Sequence, residues 1–473
     1  MRFCRLRYIA LVLLTLFFAS CYDYDDGQDY VTVGGDSIYV TITIDTPLRP
    51  ATRALPQGGE SGDGLTLGVT AFNENKIYDL TVFKVNSETV EGKYITVTES
   101  GSETTEDGKD VYEYTLKYAR GSHPGGTDFL VVANYGSTLE SVTTLTDLKN
   151  QTIAQTRLWT GDNPSACDRF LMSSASASSL SGGSGTETDP YMVHVDLQRL
   201  AARIDFCSNY GADEDKTAAY GEYSVKDASD NDITVKGFKY PMGSDGYFIL
   251  ESITPFNLNN ESEYLFRRVQ DTWSGTPTTT FLGAETTTNY VVDPKTAAKT
   301  DGWLTYTNSL NAVTEPTWSG YTGYLTAEVL STGSRKLEIN THLTSGDKSN
   351  DFVVAYAMEN TLRPESPLKK YATGLVITGS YYKTDKFLER KTFYCFLRHQ
   401  TESTAASYSY QAYEWAGLTE DITSASTTSM NIAIVRNNIY RLFIESINEK
   451  DGKLKLKIAI HDWMKVKHPL IYS

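Results

Sequence analysis

Six histidines and five cysteines are the side chains best suited to metal or nucleophilic chemistry, and their spacing argues against both. His123, His194, His342, His399, His461 and His468 form no close grouping with each other or with cysteine, and no His-Glu-x-x-His pair sets two imidazoles on one helix face. Apart from Cys4 and Cys21, the chain has Cys167, Cys207 and Cys395, too widely spaced for a disulfide framework or a zinc knuckle. Cys207 and Cys395 fall in apolar, strand-like runs and read as buried thiols, and a Cys167–Cys207 bridge stays open. Carboxylates are plentiful, but no pair stands out as the acid and base of a glycosidase. His461-Asp462-Trp463 reads as a polar turn beside a structural Trp at a strand end. Gly182, Gly183 and Gly185 precede no helix and so make no phosphate cradle. Asp23, Asp25, Asp26 and Asp29 lack the Glu that closes a calcium loop and read as a solvated tether. The expectation is a protein with no catalytic residue, no metal and no cofactor.

The chemistry that the spacing does favour is done to the chain rather than by it. Arg2, Arg5 and Arg7 precede a short apolar run, Tyr8 to Phe18, too short to span a membrane as a stable helix. Phe18-Ala19-Ser20-Cys21 then resembles the lipobox of bacterial lipoproteins, which implies a signal peptide over 1–20 and acylation (palmitate) of Cys21. Further on, Pro47-Leu48-Arg49-Pro50-Ala51-Thr52-Arg53-Ala54 is a proline-broken loop. Arg49 precedes a proline and resists a trypsin-like protease; the Arg53–Ala54 bond does not.

Between these two sites lies the strongest strand signal of the chain. Ser37 to Ile44 alternates without a break, with Ile38, Val40, Ile42 and Ile44 on one face. A strong strand joined to the body by a cleavable loop is either a removable part or an ordinary first strand before a surface loop.

With 473 residues, abundant Thr, Ser and Gly and 32 Tyr, the chain leans towards β structure in more than one domain. A net charge of −16 argues against nucleic acid or anionic lipid as a partner. Strands are expected at Val69–Phe72, Ile77–Val85, Tyr94–Thr98, Val111–Tyr118, Phe129–Val132 and Met192–Leu197. After Leu200 come Ile233–Phe238, Phe352–Met358, Gly374–Tyr382, Phe393–Leu397, Tyr440–Ile447 and Leu454–Ile460, the last two joined by a turn at Asn448–Gly452. One helix is expected where Leu139, Val142, Leu145 and Leu148 recur, with Ser137 and Glu140 as its capping pair. Ser173–Pro190 reads as a Ser/Gly-rich surface loop, and 270–340 as long surface loops.

An ordered set of short segments carries a family resemblance: Asn73-Glu74-Asn75-Lys76-Ile77-Tyr78-Asp79-Leu80-Thr81-Val82-Phe83, Phe129-Leu130-Val131-Val132-Ala133-Asn134, Arg169-Phe170-Leu171-Met172, Leu197-Gln198-Arg199-Leu200-Ala201-Ala202-Arg203-Ile204, Glu263-Tyr264-Leu265-Phe266, Tyr290-Val291-Val292-Asp293-Pro294, Glu359-Asn360-Thr361 and Val435-Arg436-Asn437-Asn438-Ile439-Tyr440. Together they resemble the fimbrillins, the type V pilins of Bacteroidetes (FimA/Mfa type).

That resemblance implies an all-β fold: two tandem transthyretin-like β-sandwich domains with a short helix and long surface loops. It divides the chain into a signal peptide (1–20), a tether and removable first strand (21–53), an N-terminal domain (54–199) and a C-terminal domain (200–473). The function it implies is a structural pilus subunit for surface adhesion. The precursor is an outer-membrane lipoprotein; an Arg-specific surface protease cuts after Arg53, and the subunit joins a cell-surface fimbrium by strand exchange. Implied partners are other fimbrial subunits (copies of itself, tip and anchor subunits), that protease, and host or bacterial surface ligands. Two segments compete as donor strand: Leu454, Leu456, Ile458 and Ile460, which repeat the aliphatic comb, and the tail with Met464, Val466, Leu470 and Tyr472 on one face. The tail is favoured. Two alternatives stay open. One is a tip or anchor subunit; the other is a surface glycan-binding lipoprotein using Trp159, Trp273, Trp303 and Trp318 as stacking platforms.

Overall fold

The computed structural model describes residues 37–46, 76–97, 102–104, 110–119, 127–154, 158, 170–207, 219–242, 244–256, 258–259, 262–271, 279–284, 289–294, 337–338, 351–362, 372–397, 407–413, 433–448 and 453–462. The fold is all-β, as the sequence led us to expect, and its strands form two large curled sheets. The first uses β1 (Ser37–Asp45), β2 (Asp79–Asn86), β3 (Thr89–Thr96), β4 (Ser102–Thr104), β5 (Asp110–Ala119) and β6 (Thr127–Ala133). After a short helix α1 (Leu145–Lys149) and the two-residue β7 (Thr152–Ile153), it is completed by β8 (Met172–Ser174), β9 (Ser178–Ser179) and β10 (Tyr191–Arg199). Its order is β3-β2-β6-β8-β10-β1-β5-β4, with β9 beside β6.

That sheet folds over on itself. Tyr118 on β5 meets Phe129 on β6 edge-on at 6.2 Å, although β8, β10 and β1 lie between them in the sheet. Lys84 of β2 and Lys93 of β3 reach the same Tyr118 ring, at 4.6 and 4.5 Å from its centroid. The inward faces, with Val40, Ile42, Val82, Phe129, Val131 and Val195 fully buried, close the apolar layer between the two halves of the sandwich.

The second sheet uses β11 (Ala202–Cys207), β12 (Ala219–Lys226), β13 (Asp232–Met242) and β14 (Gly246–Phe256). The short β15 (Glu263–Tyr264), β16 (Arg268–Gln270), β17 (Thr279–Phe281) and β18 (Tyr290–Val291) lie outside it, and β19 (Leu337–Glu338) pairs with β14. It is completed by β20 (Asp351–Ala357), β21 (Gly374–Lys383), β22 (Lys386–Phe396), β23 (Ser407–Tyr413), β24 (Asn438–Asn448) and β25 (Lys453–Asp462). Its order is β12-β13-β14-β21-β22-β23-β25-β24-β11-β20, and extra pairings of β13 with β24 and β12 with β22 draw its ends together. The β24–β25 hairpin runs from Asn448 opposite Lys453 to Asn438 opposite Asp462, with a bulge between Ile444 and Ser446.

The two sheets share one contiguous core, in which Phe170 packs against Tyr356 at a tilt of 55° with ring centroids 4.8 Å apart. Glu263 and Tyr264 of β15 pair with Ile153 and Thr152 of β7, and Leu265 N donates to Gln151 O.

Two expectations need correction. The single helix is two pieces: a 3₁₀ turn over Ser137–Ser141 and α1, separated by an extended Val142. Thr143 O accepts from Val90 N, and Leu145 N donates to Glu88 O, so the β2–β3 turn takes the backbone groups that a continuous helix needs. The cap is Thr144, whose side chain accepts from Asp147 N; Ser137 caps nothing, and Glu140 lies in the 3₁₀ turn. The Ser/Gly-rich stretch is a surface loop only in part. Ser173 and Ser174 are buried in β8, where the Ser174 hydroxyl accepts from Val131 N at 2.7 Å.

Candidate functional site

The groove that holds β1 is the feature on which a function can be built. Nine residues of β1 pair antiparallel with β5, from Ser37 opposite Ala119 to Asp45 opposite Val111. On its other edge, Val40 to Asp45 pair in parallel with Tyr191 to Asp196 of β10. The strand is therefore internal to its sheet, with both backbone edges satisfied. Ile38, Val40, Ile42 and Ile44 are all buried, at 6% exposure for Ile38 and 0% for the other three.

The opposite face of β1 is held by polar contacts. The Thr41 and Thr115 hydroxyls share a hydrogen bond of 2.8 Å, and Lys117 lies over the Tyr39 ring. At the start of the strand, Tyr39 N donates to Gly185 O at 3.0 Å. That oxygen is presented by a turn in which Gly182, Gly183 and Gly185 all have positive φ. A Cβ on Gly183 would meet Pro190 O at 1.9 Å, so glycine is required there. The glycine cluster thus has a place beside the strand rather than around a phosphate. On β5, the Tyr114 phenol is pushed up to about 12 by burial and by the neighbouring Tyr112, and burial pushes the Tyr118 phenol up further. Both phenols stay neutral at any physiological pH.

The segments that carry the family resemblance meet in three polar joints. In the first, Asn134 (φ 65°) donates through Nδ2 to Lys76 O and Phe170 O and accepts from Tyr78 N, tying three segments together. In the second, Asn437 (φ 58°) accepts from Arg199 N through Oδ1 and donates its own N–H to Ala201 O. In the third, Arg436 Nη2 lies 2.8 Å from both Glu263 Oε1 and Glu359 Oε2, with all three side chains at 0% exposure. Arg436 also donates to Tyr264 O and Leu265 O, and Glu359 N donates to Glu263 Oε2. One guanidinium faces two carboxylates here. Burial, with Arg436 opposing it and Glu359 adding to it, holds the Glu263 carboxyl well above the usual carboxylate range. Beside this triad, Asp293 accepts from Thr361 N at 2.9 Å. These residues are scaffold: they lock turns and join the two sheets.

Other sequence-level candidates distribute as follows. Cys21, Arg53 and Ala54 lie outside the described residues, as do Cys167, His123, His342, His399, His468, Trp463 and the four loop tryptophans. So do the strand expected at Val69–Phe72 and the tail with Met464, Val466, Leu470 and Tyr472. Leu454, Leu456, Ile458 and Ile460 belong to β25, which is paired on both edges, by β23 and β24. His461 and Asp462 close that strand opposite Ile439 and Asn438. Cys395 is a buried thiol outside any disulfide. Among the described residues, no helix is long and apolar enough to cross a membrane.

No family model and no curated protein matches the chain. The solved structures it resembles are fimbrial and adhesion proteins. The C-terminally truncated tip fimbrial protein Mfa3 of Porphyromonas gingivalis is 14% identical, with 90% of this chain and 100% of that one covered and a TM-score of 0.41. A proposed cell adhesion protein of Bacteroides eggerthii is 14% identical over 91% and 97% of the two chains, at a TM-score of 0.40. A fimbrial assembly protein of Parabacteroides distasonis is 12% identical over 90% and 96%, at 0.36. At such identities and scores the likeness carries no argument about role; the geometry of the β1 groove has to supply one.

Proposed function

We propose that this chain is a structural subunit of a fimbrillin-type surface pilus. Its precursor is exported as a lipoprotein on Cys21. A surface protease cuts after Arg53, β1 leaves, and a terminal strand from the next subunit fills the groove between β5 and β10. The role needs no catalytic residue. An emptied groove presents an apolar trough flanked by two strand edges with unpaired N–H and C=O groups, which is the recognition surface for strand addition.

The observation that carries the reading is the setting of β1. It is an internal strand with four buried aliphatic side chains, and its chain passes from Thr46 straight into the proline-broken loop that contains Arg53. Burying those side chains contributes on the order of 6–12 kcal/mol, at roughly 1.5–3 each, before the cost of ordering the strand. Any replacement must offer a similar comb. The tail offers Met464, Val466, Leu470 and Tyr472 on one alternating face, interrupted there by His468, with Pro469 removing a single ladder donor. The pairing of β25 on both edges favours the tail over Leu454–Ile460, since lending β25 to a neighbour would break two strand pairs at home.

The test is the N-terminal residue of the protein recovered from the cell surface. The proposal expects Ala54. A surface form that begins at Cys21 and keeps β1 would instead fit an uncleaved anchor or a glycan-binding lipoprotein, and would overturn it.

A further inference from the structure

We propose that Asp45, His194 and Asp196 form a site for a divalent transition-metal ion of the zinc type, and that the ion clips the end of β1 to β10. The three side chains are far apart in sequence and are brought together by the parallel register, in which Thr43 lies opposite His194 and Asp45 opposite Asp196. His194 and Asp196 are two apart on β10 and so share one face, and Asp45 projects from the neighbouring strand onto that face. One ligand pair at i and i+2 plus a third across the ladder is a geometry that a sheet holds rigidly without any loop.

The distances suit the ion. His194 Nε2 lies 3.5 Å from Asp45 Oδ2 and 3.9 Å from Asp196 Oδ1, and one ligand atom from each residue lies within 4.8 Å of the others. Zinc–ligand bonds of about 2.0–2.2 Å at tetrahedral angles put donor atoms roughly 3.3–3.6 Å apart, a spacing that the two His194 pairs already approach and that side-chain rotation of the carboxylates completes. A nitrogen–oxygen donor set containing imidazole selects zinc and its first-row neighbours over calcium or magnesium, which take oxygen alone. The side chains of His194 and Asp196 are 58% and 42% exposed, which leaves room for a water as fourth ligand, while that of Asp45 is only 12% exposed.

Asp45 and Asp196 are partners across the parallel ladder with His194 Nε2 between them, so a divalent cation held by all three would crosslink the two strands.

The site stands on this geometry alone; its role as a latch rests on the proposal that β1 is released. It lies at the last residue of β1, next to the loop that leads to Arg53, so the ion would hold the strand where the chain exits the sheet.

The experiment is titration of the full, untagged chain with zinc by calorimetry and with cobalt by visible absorption. The expected result is one equivalent bound, with the intense d–d bands of a four-coordinate cobalt site. His194→Ala and Asp196→Asn, both at exposed positions that leave the fold intact, should each weaken binding by about tenfold or more, since even outer-shell partners are worth about 10–100-fold. No binding by the wild-type chain, or undiminished binding by both variants, overturns the site. The latch is read separately, as the rate at which the Arg53-cleaved chain loses β1 in mild urea. Zinc at about 100 times its Kd should slow that loss by up to about 100-fold relative to EDTA. Equal loss in zinc and EDTA overturns the latch. Failure of β1 to leave even in EDTA contradicts strand release itself, while the titration still decides the site.

Discussion

Ile42→Ala puts the most direct load on the β1 groove. Ile42 is fully buried, opposite Tyr114 on β5 and Val193 on β10. The substitution removes three carbons, worth about 2.4 kcal/mol of transfer at roughly 0.8 each, and the residual cavity raises the total to about 3–5 kcal/mol. Thr43→Ala, one residue along and on the half-buried opposite face, is the control and should cost well under half of that. Hydrogen exchange separates local from global effects. In Ile42→Ala, amides of β1 and of the facing edges of β5 and β10 should lose protection by about 30-fold or more, the equivalent of 2 kcal/mol, while β21 and β22 in the second sheet change much less. Equal effects of the two substitutions, or a uniform loss across both sheets, would refute the idea that β1 is a separable, comb-held strand.

Three other outcomes follow from the structure. Arg436→Leu leaves Glu263 and Glu359 facing each other in a dry site and should destabilise the protein by about 3–5 kcal/mol in urea titration. Glu263 keeps its proton to higher pH in the folded chain than in the unfolded one, so its contribution is full below the ordinary value near 4.5 and is lost as pH rises through the raised value; Glu263→Gln should flatten that decline in stability between acid and neutral pH. Deleting Met464–Ser473 should leave the melting transition unchanged, whereas truncation from Lys453 removes β25, strips the paired edges of β23 and β24, and should abolish cooperative unfolding.

Legibility in the sequence followed the range of the interaction. β1 and β5 were readable because one face is buried and alternation is local, and β2 and β6 because they are short, nearly continuous apolar runs buried on both faces. β14 was not: Gly246–Phe256 is interrupted by Glu251, Ser252 and Pro255, and its place depends on β13 and β21 alongside it. The helix was overcalled because the three-residue spacing of Leu139 and Leu148 records burial, while the backbone between them is claimed by Glu88 and Val90. The resemblance segments were visible as words without a stated purpose. Their polar residues, Asn134, Asn437, Glu263, Glu359 and Arg436, act through backbone groups and partners up to 238 positions away, which no local pattern reveals. His194 read as isolated for the same reason, since its neighbour Asp45 is fixed only by the register of β1 against β10.

The central claim is that β1 must leave before the chain can assemble. Wild-type precursor and an Arg53→Ala variant, each treated with an arginine-specific protease and separated on a denaturing gel without heating, test it directly. Wild type should lose residues up to Arg53 and form a ladder of oligomers, while Arg53→Ala keeps β1 and stays monomeric. A ladder from Arg53→Ala with β1 still in place would contradict the account.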